Sequence, residues 1–182
     1  ACGAIPLITW LDGTHPGEDD CEKLLDLFVN KGCAGLNIIP DRNWKGATPE
    51  ETAVKSAKLE EIVTQAQRRH LPINIGTEMN RAGLPPVDDL DGVGLSSYRK
   101  AFLQGAQIMV GHMLLAGFAE LPYNGEDAAA EFPDVAKRNA FYATGGAQPP
   151  LSQPEAEKLR EAGPEKARSL LVDRARHDQT GG

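Results

Sequence analysis

Four short apolar runs, each breaking into polar residues, constrain this chain more than anything else in it. The clearest is LPINIGTEMN, Leu71–Asn80. Leu71, Ile73 and Ile75 are apolar, Pro72 stands where a strand can begin, and Gly76 ends the run, which is how a short buried strand of an α/β protein reads. Thr77, Glu78, Asn80 and Arg81 follow at once. The same grammar recurs in IPLITWLDGTH (Ile5–His15), AGLNIIPDRNW (Ala34–Trp44) and QIMVGHM (Gln107–Met113). Side chains just past the carboxyl end of a parallel strand point into the site in barrels and doubly wound sheets, so this repetition is the main functional clue.

Helical patterns separate the runs. Glu18–Gly32 has an apolar face of Leu24, Leu25, Leu27 and Phe28, acids in its first turn and Gly32 as its stop. The strand Gly35–Ile39 follows directly, and Asp41–Thr48 is a polar loop. Thr48, Pro49 and Glu51 supply an N-cap, a first-turn proline and a capping-box acid. That helix is expected to run to about Arg69 with Leu59, Ile62, Val63 and Ala66 on one face. A helix near Ser96–Gln104, ended by Gly105, then precedes a fourth strand, Gln107–Val110. The pattern is β-α-β-α-β-α-β, and right-handed crossovers make the strands parallel and adjacent. The expected fold class is therefore α/β, with parallel (βα) units over residues 1–121. Residues 122–182 are expected to form a helical extension, with a linker at Gly145–Pro154 and a solvated, partly mobile tail.

Length and charge narrow the function. With 182 residues the chain can bury one sizeable core, but a standard eight-unit barrel needs roughly 250. A formal net charge of −7 offers no basic field for nucleic acid. No apolar run approaches the ~20 residues a membrane span needs, so the chain reads as soluble. There is no secretory signal, and the start at Ala1 rather than Met reads as a fragment or a processed chain. Cys2, Cys21 and Cys33 are odd in number and lack CxxC spacing, which points to packing thiols and a reducing, cytoplasmic compartment.

The residues placed to do chemistry are Asp12 and His15, Asp41 and Arg42, Glu78 and Asn80, and His112. Carboxylates and imidazoles converging from separate strands can hold a divalent metal, which lowers the pKa of a bound water to make a nucleophile. Each has a plainer reading. Asp12-Gly13 is also a turn pair, His15 a surface residue before Pro16, and Asp41 an ordinary loop acid that Arg42 could pair with. Glu78 and His112 are harder to dismiss, since each directly follows a buried run. Asn37 and Asn74, inside their strands, are minor supporting candidates, and Phe141 and Tyr142 read first as packing residues. No HxH, HExxH or CxxC spacing is present.

On WLDGTH, NIIPDRNW, NIGTEMN and IMVGH the chain resembles the C-terminal half of a TIM-barrel metal-dependent hydrolase of the amidohydrolase or PHP type. The resemblance spans roughly Ile5–Met113 and implies a site at the carboxyl face of the strands, holding divalent metal, zinc or manganese. It implies hydrolysis of a small polar substrate by metal-activated water, with Asp12, Glu78 and His112 as metal ligands. Glu78, His112 and Asp41 would be catalytic; Arg42, Asn80 and His15 would bind substrate. Four βα units leave strand edges open, so self-association or a second chain completing the barrel is expected, with neither nucleic acid nor membrane as partner. The alternatives are a sugar-type isomerase or aldolase on the same fold, and a non-catalytic half-barrel serving as an assembly subunit.

Overall fold

The computed structural model of the chain describes residues 3–77, 82, 83, 86 and 88–180, without the side chains of residues 41 and 177–180. The first three strand candidates do form strands. They are β1 (Leu7–Thr9), β2 (Gly35–Ile38) and β3 (Ile73–Ile75), joined in one parallel sheet of order β1-β2-β3. Leu36 stands opposite both Ile8 and Ile73, and Asn37 opposite both Thr9 and Asn74. Alternation along the strands therefore sends an aliphatic row to one face and a polar row to the other.

The helices between the strands cover the aliphatic face. α1 (Cys21–Asn30) starts at Asp20, whose side chain accepts from the Lys23 N–H at 2.9 Å. It stops where Gly32 takes φ +91°, with the Gly32 N–H donating to the Val29 carbonyl, a left-handed exit that glycine allows without cost. α2 (Pro40–Trp44) is a short helix where a polar loop was expected; Pro40 presets its first φ. α3 (Pro49–Arg68) begins as its sequence predicts, with Thr48 accepting from the Glu51 N–H at 3.2 Å. The Glu51 carboxylate reaches past the cap residue and accepts from the Ala47 N–H at 2.7 Å. Leu59, Ile62, Val63 and Ala66 of α3 join Leu25, Ile8, Leu36, Ile38 and Ile73 in one core, each of these at most 2% exposed.

The fourth strand does not exist. Gln107–Val110 lies inside α4 (Arg99–Ala119), which follows a 3-10 turn at Ser96–Tyr98. A four-residue apolar run does not reveal its period by itself. Its wider setting does: Ile108, His112, Leu115 and Ala119 are all buried, at helical spacing. Gly105, expected as a stop, continues the helix. A Cβ there would collide with the Ile73 carbonyl, so glycine lets α4 press its backbone against β3.

The chain divides into two compact units, Pro6–Gly105 and Ala1–Ile5 with Ala106–Gly182, and α4 runs through both. The second unit adds α5 (Glu126–Glu131), α6 (Val135–Gly146), α7 (Gln153–Ala162) and α8 (Pro164–Thr180). The last segment, expected as a helical piece over Glu165–Arg176 and a solvated, partly mobile tail, forms α8, which packs on α6 and α7 through buried Ala167, Leu171 and Ala175. Two tyrosines fill the centre of this unit with their rings edge to face at 5.2 Å. Tyr123 donates to Asn139 Oδ1 at 2.6 Å and Tyr142 to the Leu121 carbonyl at 3.0 Å, so neither buried hydroxyl is wasted. Phe141, as expected, packs: it stacks on Phe132 at 4.7 Å. The architecture is mixed α/β, 60% helical, with a small parallel sheet; the three strands described do not close a barrel.

Candidate functional site

Parallel strands put the loops after β1, β2 and β3 at one edge of the sheet. In each, a carboxylate stands three positions beyond the last strand residue: Asp12 after Thr9, Asp41 after Ile38, Glu78 after Ile75. Glu78 and Asn80 lie outside the described residues, as does the Asp41 side chain.

The loop after β1 is held by a residue the sequence reading had assigned to a helix start. The buried Glu18 carboxylate accepts from the backbone N–H groups of Leu11, Asp12 and Gly13 at 2.9, 3.2 and 3.0 Å. Gly13 at φ +71° closes that turn. Asp12 is thereby presented to α3, where Lys55 Nζ reaches its carboxylate at 3.1 Å. Thr14 adds its backbone N–H at 3.0 Å and its hydroxyl at 2.6 Å. Burial works to raise the Asp12 pKa, but the bonds from Thr14 and the Lys55 ammonium outweigh it, and the carboxyl titrates below its ordinary 3.8. Asp12 is thus an ionised anchor with its charge already answered.

The polar row crosses the sheet just before this edge. Asn74 donates to Asn37 Oδ1 at 2.7 Å, and both side chains are half-buried with Thr9 exposed beside them. Each amide still carries a donor or acceptor beyond that bond. Asn43, buried in α2, accepts from the Ile39 N–H at 2.7 Å and fixes the turn that carries Asp41 and Arg42. Arg42 itself is exposed. His15 is exposed as well, and its Nδ1 accepts from the Gly17 N–H at 3.2 Å.

His112 is a correction. It follows no strand, and it belongs to the other compact unit. It sits buried in α4, where its Nδ1 accepts from the Tyr123 N–H at 3.0 Å. Burial pushes its pKa down, against the opposing effect of a hydrogen bond to the Gly3 backbone. A neutral imidazole spent on two backbone partners is a structural group, not an open ligand. Among the described residues, no three His, Cys, Asp or Glu side chains come together as a metal cluster. Of the expected set Asp12, Glu78 and His112, Asp12 is paired with Lys55, His112 is bonded to the Tyr123 backbone, and Glu78 lies outside the described residues.

Glu18 and Lys55 are what sequence reasoning missed. The available signal was an acid following the Asp12-Gly13 turn at a spacing that lets it fold back onto that turn. Cys21 is buried and Cys33 half-buried, both free thiols. Burial, with Glu61 and Glu22 nearby, pushes the Cys21 thiol up to about 11, so it packs rather than reacts. Comparison with protein-family models, with curated proteins and with solved structures gave no match.

Proposed function

We propose that this chain is a hydrolase for a small polar substrate, acting at the carboxyl edge of β1, β2 and β3. The observation that supports the reading is the sheet order β1-β2-β3 with all strands parallel, because the carboxyl ends of parallel strands share one edge and Asp12, Asp41 and Glu78 each follow a strand by three positions in the sequence. Asp41 and Glu78 are the residues to hold a divalent cation there, and such an ion would supply an activated water. Asp12, held ionised by Thr14 and Lys55, shapes the field, and Arg42, Asn37 and Asn74 orient the substrate. His112 has no part in it.

A second reading draws on the Lys55–Asp12 pair, which removes one carboxylate from a ligand role. It is an isomerase in which Glu78 moves a proton without metal. Glu78→Gln separates these from a scaffold role. Either enzyme is expected to lose at least ~10²-fold in activity, the lower end for acid–base catalysis, with a melt within about 0.5 kcal/mol of wild type. The hydrolase also loses stoichiometric metal in elemental analysis, whereas the isomerase survives exhaustive chelation. A variant with normal activity and metal content sinks both readings and leaves the non-catalytic assembly subunit.

A further inference from the structure

α4 carries an apolar stripe that the described residues leave uncovered. Leu103, Val110 and Met113 are 57%, 39% and 66% exposed, and Ala106 and Gly117 between and beyond them are exposed too. These positions, 103, 106, 110, 113 and 117, are separated by three and four residues in strict alternation, the spacing of a helix seam that receives another helix. The opposite side of α4 is occupied by Ile108 and Leu115, at most 2% exposed, and Phe102, fully buried, flanks the stripe at its N-terminal end. Taken with its leading turn, Ser96–Ala119 is 24 residues long and apolar enough by length and composition to cross a membrane, yet only 28% of its apolar window is buried. The sequence reading of no such run is corrected here. A helix packed within its own domain would be mostly covered.

Gly117 supplies a separate observation. α4 holds three glycines, and two are explained within the chain. A Cβ at Gly105 would strike the Ile73 carbonyl, and one at Gly111 the Tyr142 carbonyl. Around Gly117 nothing lies within 4 Å. A glycine inside a helix costs ~0.5–1 kcal/mol relative to alanine, and no contact among the described residues offsets it here. Its place on the exposed stripe is where a second backbone could approach as closely as β3 and α6 approach the other two.

We propose that this stripe pairs α4 with α4 of a second copy of the chain, antiparallel, about a twofold axis near Val110. Two features select a second copy. Leu103 and Gly117 each lie seven positions from Val110 (103, 110, 117), so reversing the partner sets the bulky end of one stripe against the side-chain-free end of the other. Lys100 is exposed at the start of α4, beside Arg99 that pairs with Asp91 at 3.2 Å, and Glu120 is exposed just past its end, so the same reversal sets Lys100 against the partner's acid. A twofold contact needs a self-complementary surface, and both properties give one. A membrane suits the helix less well. One side of α4 is committed to the protein, and a chain of net charge −7 is repelled by anionic headgroups. The inference does not depend on the reaction at the sheet edge.

Sedimentation of the full chain across the micromolar range tests it. The wild type is expected to be a reversible dimer. Met113→Glu, at an exposed position, weakens the dimer at least about tenfold, the scale of a central interface residue, while circular dichroism stays unchanged. Lys100→Glu weakens it about twofold to fivefold, and adding Glu120→Lys restores it. That exchange at two exposed ends decides the matter even if Met113→Glu disturbs folding. A wild type that stays monomeric overturns the proposal. Association indifferent to these variants overturns it too, and moves the contact to another surface such as the sheet edges. Flotation of a monomer with phosphatidylcholine vesicles, abolished by Met113→Glu, overturns it in favour of a lipid surface.

Discussion

The sheet unit and the helical unit are held together by different means. Between β1, β2, β3 and the helices over them the contact is aliphatic side chains, with Leu25, Leu36, Ile38, Leu59 and Ile62 all fully buried. Where α4 meets α6, the contact is backbone on backbone. A Cβ on Gly111 would strike the Tyr142 carbonyl and one on Gly146 the Gln107 carbonyl, and Tyr123 and Tyr142 fasten the surroundings by hydrogen bonds. One unit depends on atoms being present, the other on atoms being absent. Added volume and removed volume should therefore have opposite consequences in the two.

The largest effect expected is loss of side-chain volume in the sheet unit. Leu36→Ala should cost about 2–5 kcal/mol in urea melts, the range for a fully buried leucine. In the helical unit the damaging change is a gain. Gly111→Ala should cost about 1–3 kcal/mol by overpacking, although alanine is the better helix former. A neutral or stabilised Gly111→Ala would break the comparison, since the glycine would then be a mere weakness in the helix. Gly117→Ala sharpens it from the other side. With nothing around that position, the dilute monomer should gain about 0.5–1 kcal/mol, while the pairing of α4 proposed above should weaken.

The same contrast explains what could be read from the chain. β1, β2 and β3 were legible because each is bounded by turn or cap chemistry: Asp12-Gly13, Pro40 and Gly76 fix where the runs end. α3 was legible from Thr48, Pro49 and Glu51, residues whose side chains or rings act locally. QIMVGH was not, because local chemistry is silent there. Gly105 looks like the stop that Gly32 is, and only the nearness of β3 shows that it is a contact. Glu18 was hidden for a related reason. An acid near a helix start is ordinary, and its three bonds to the Leu11–Gly13 backbone depend on the loop's path. Of the expected site, Asp12 and Asp41 follow strands that do form, and Glu78 lies outside the described residues; His112 was grouped with them only through a strand that is a helix.

The smallest expected effects are electrostatic, and they separate the two units by pH. In the helical unit His112 is buried, and its pKa lies below the ordinary 6.5. The unfolded chain then binds a proton that the folded chain resists. The stability this group contributes is present above about pH 6.5 and is lost as pH falls towards its folded value. In the sheet unit Asp12 is also depressed, below 3.8. Its contribution has the same sign but is lost only in more acid solution, as pH falls through its own folded value. Lys55→Met should remove under about 1 kcal/mol at neutral pH, as an ion pair near the surface is worth. The difference from wild type should vanish once Asp12 is protonated in both states. Both tryptophans, Trp10 and Trp44, lie in the sheet unit, so their emission reports on it alone. The Tyr123 amide bonded to His112 reports on the helical unit by hydrogen exchange. As pH falls, protection at the Tyr123 amide should weaken before tryptophan emission shifts. The reverse order would mean that the carboxylate edge, and not the buried imidazole, is the first part of this molecule to feel acid.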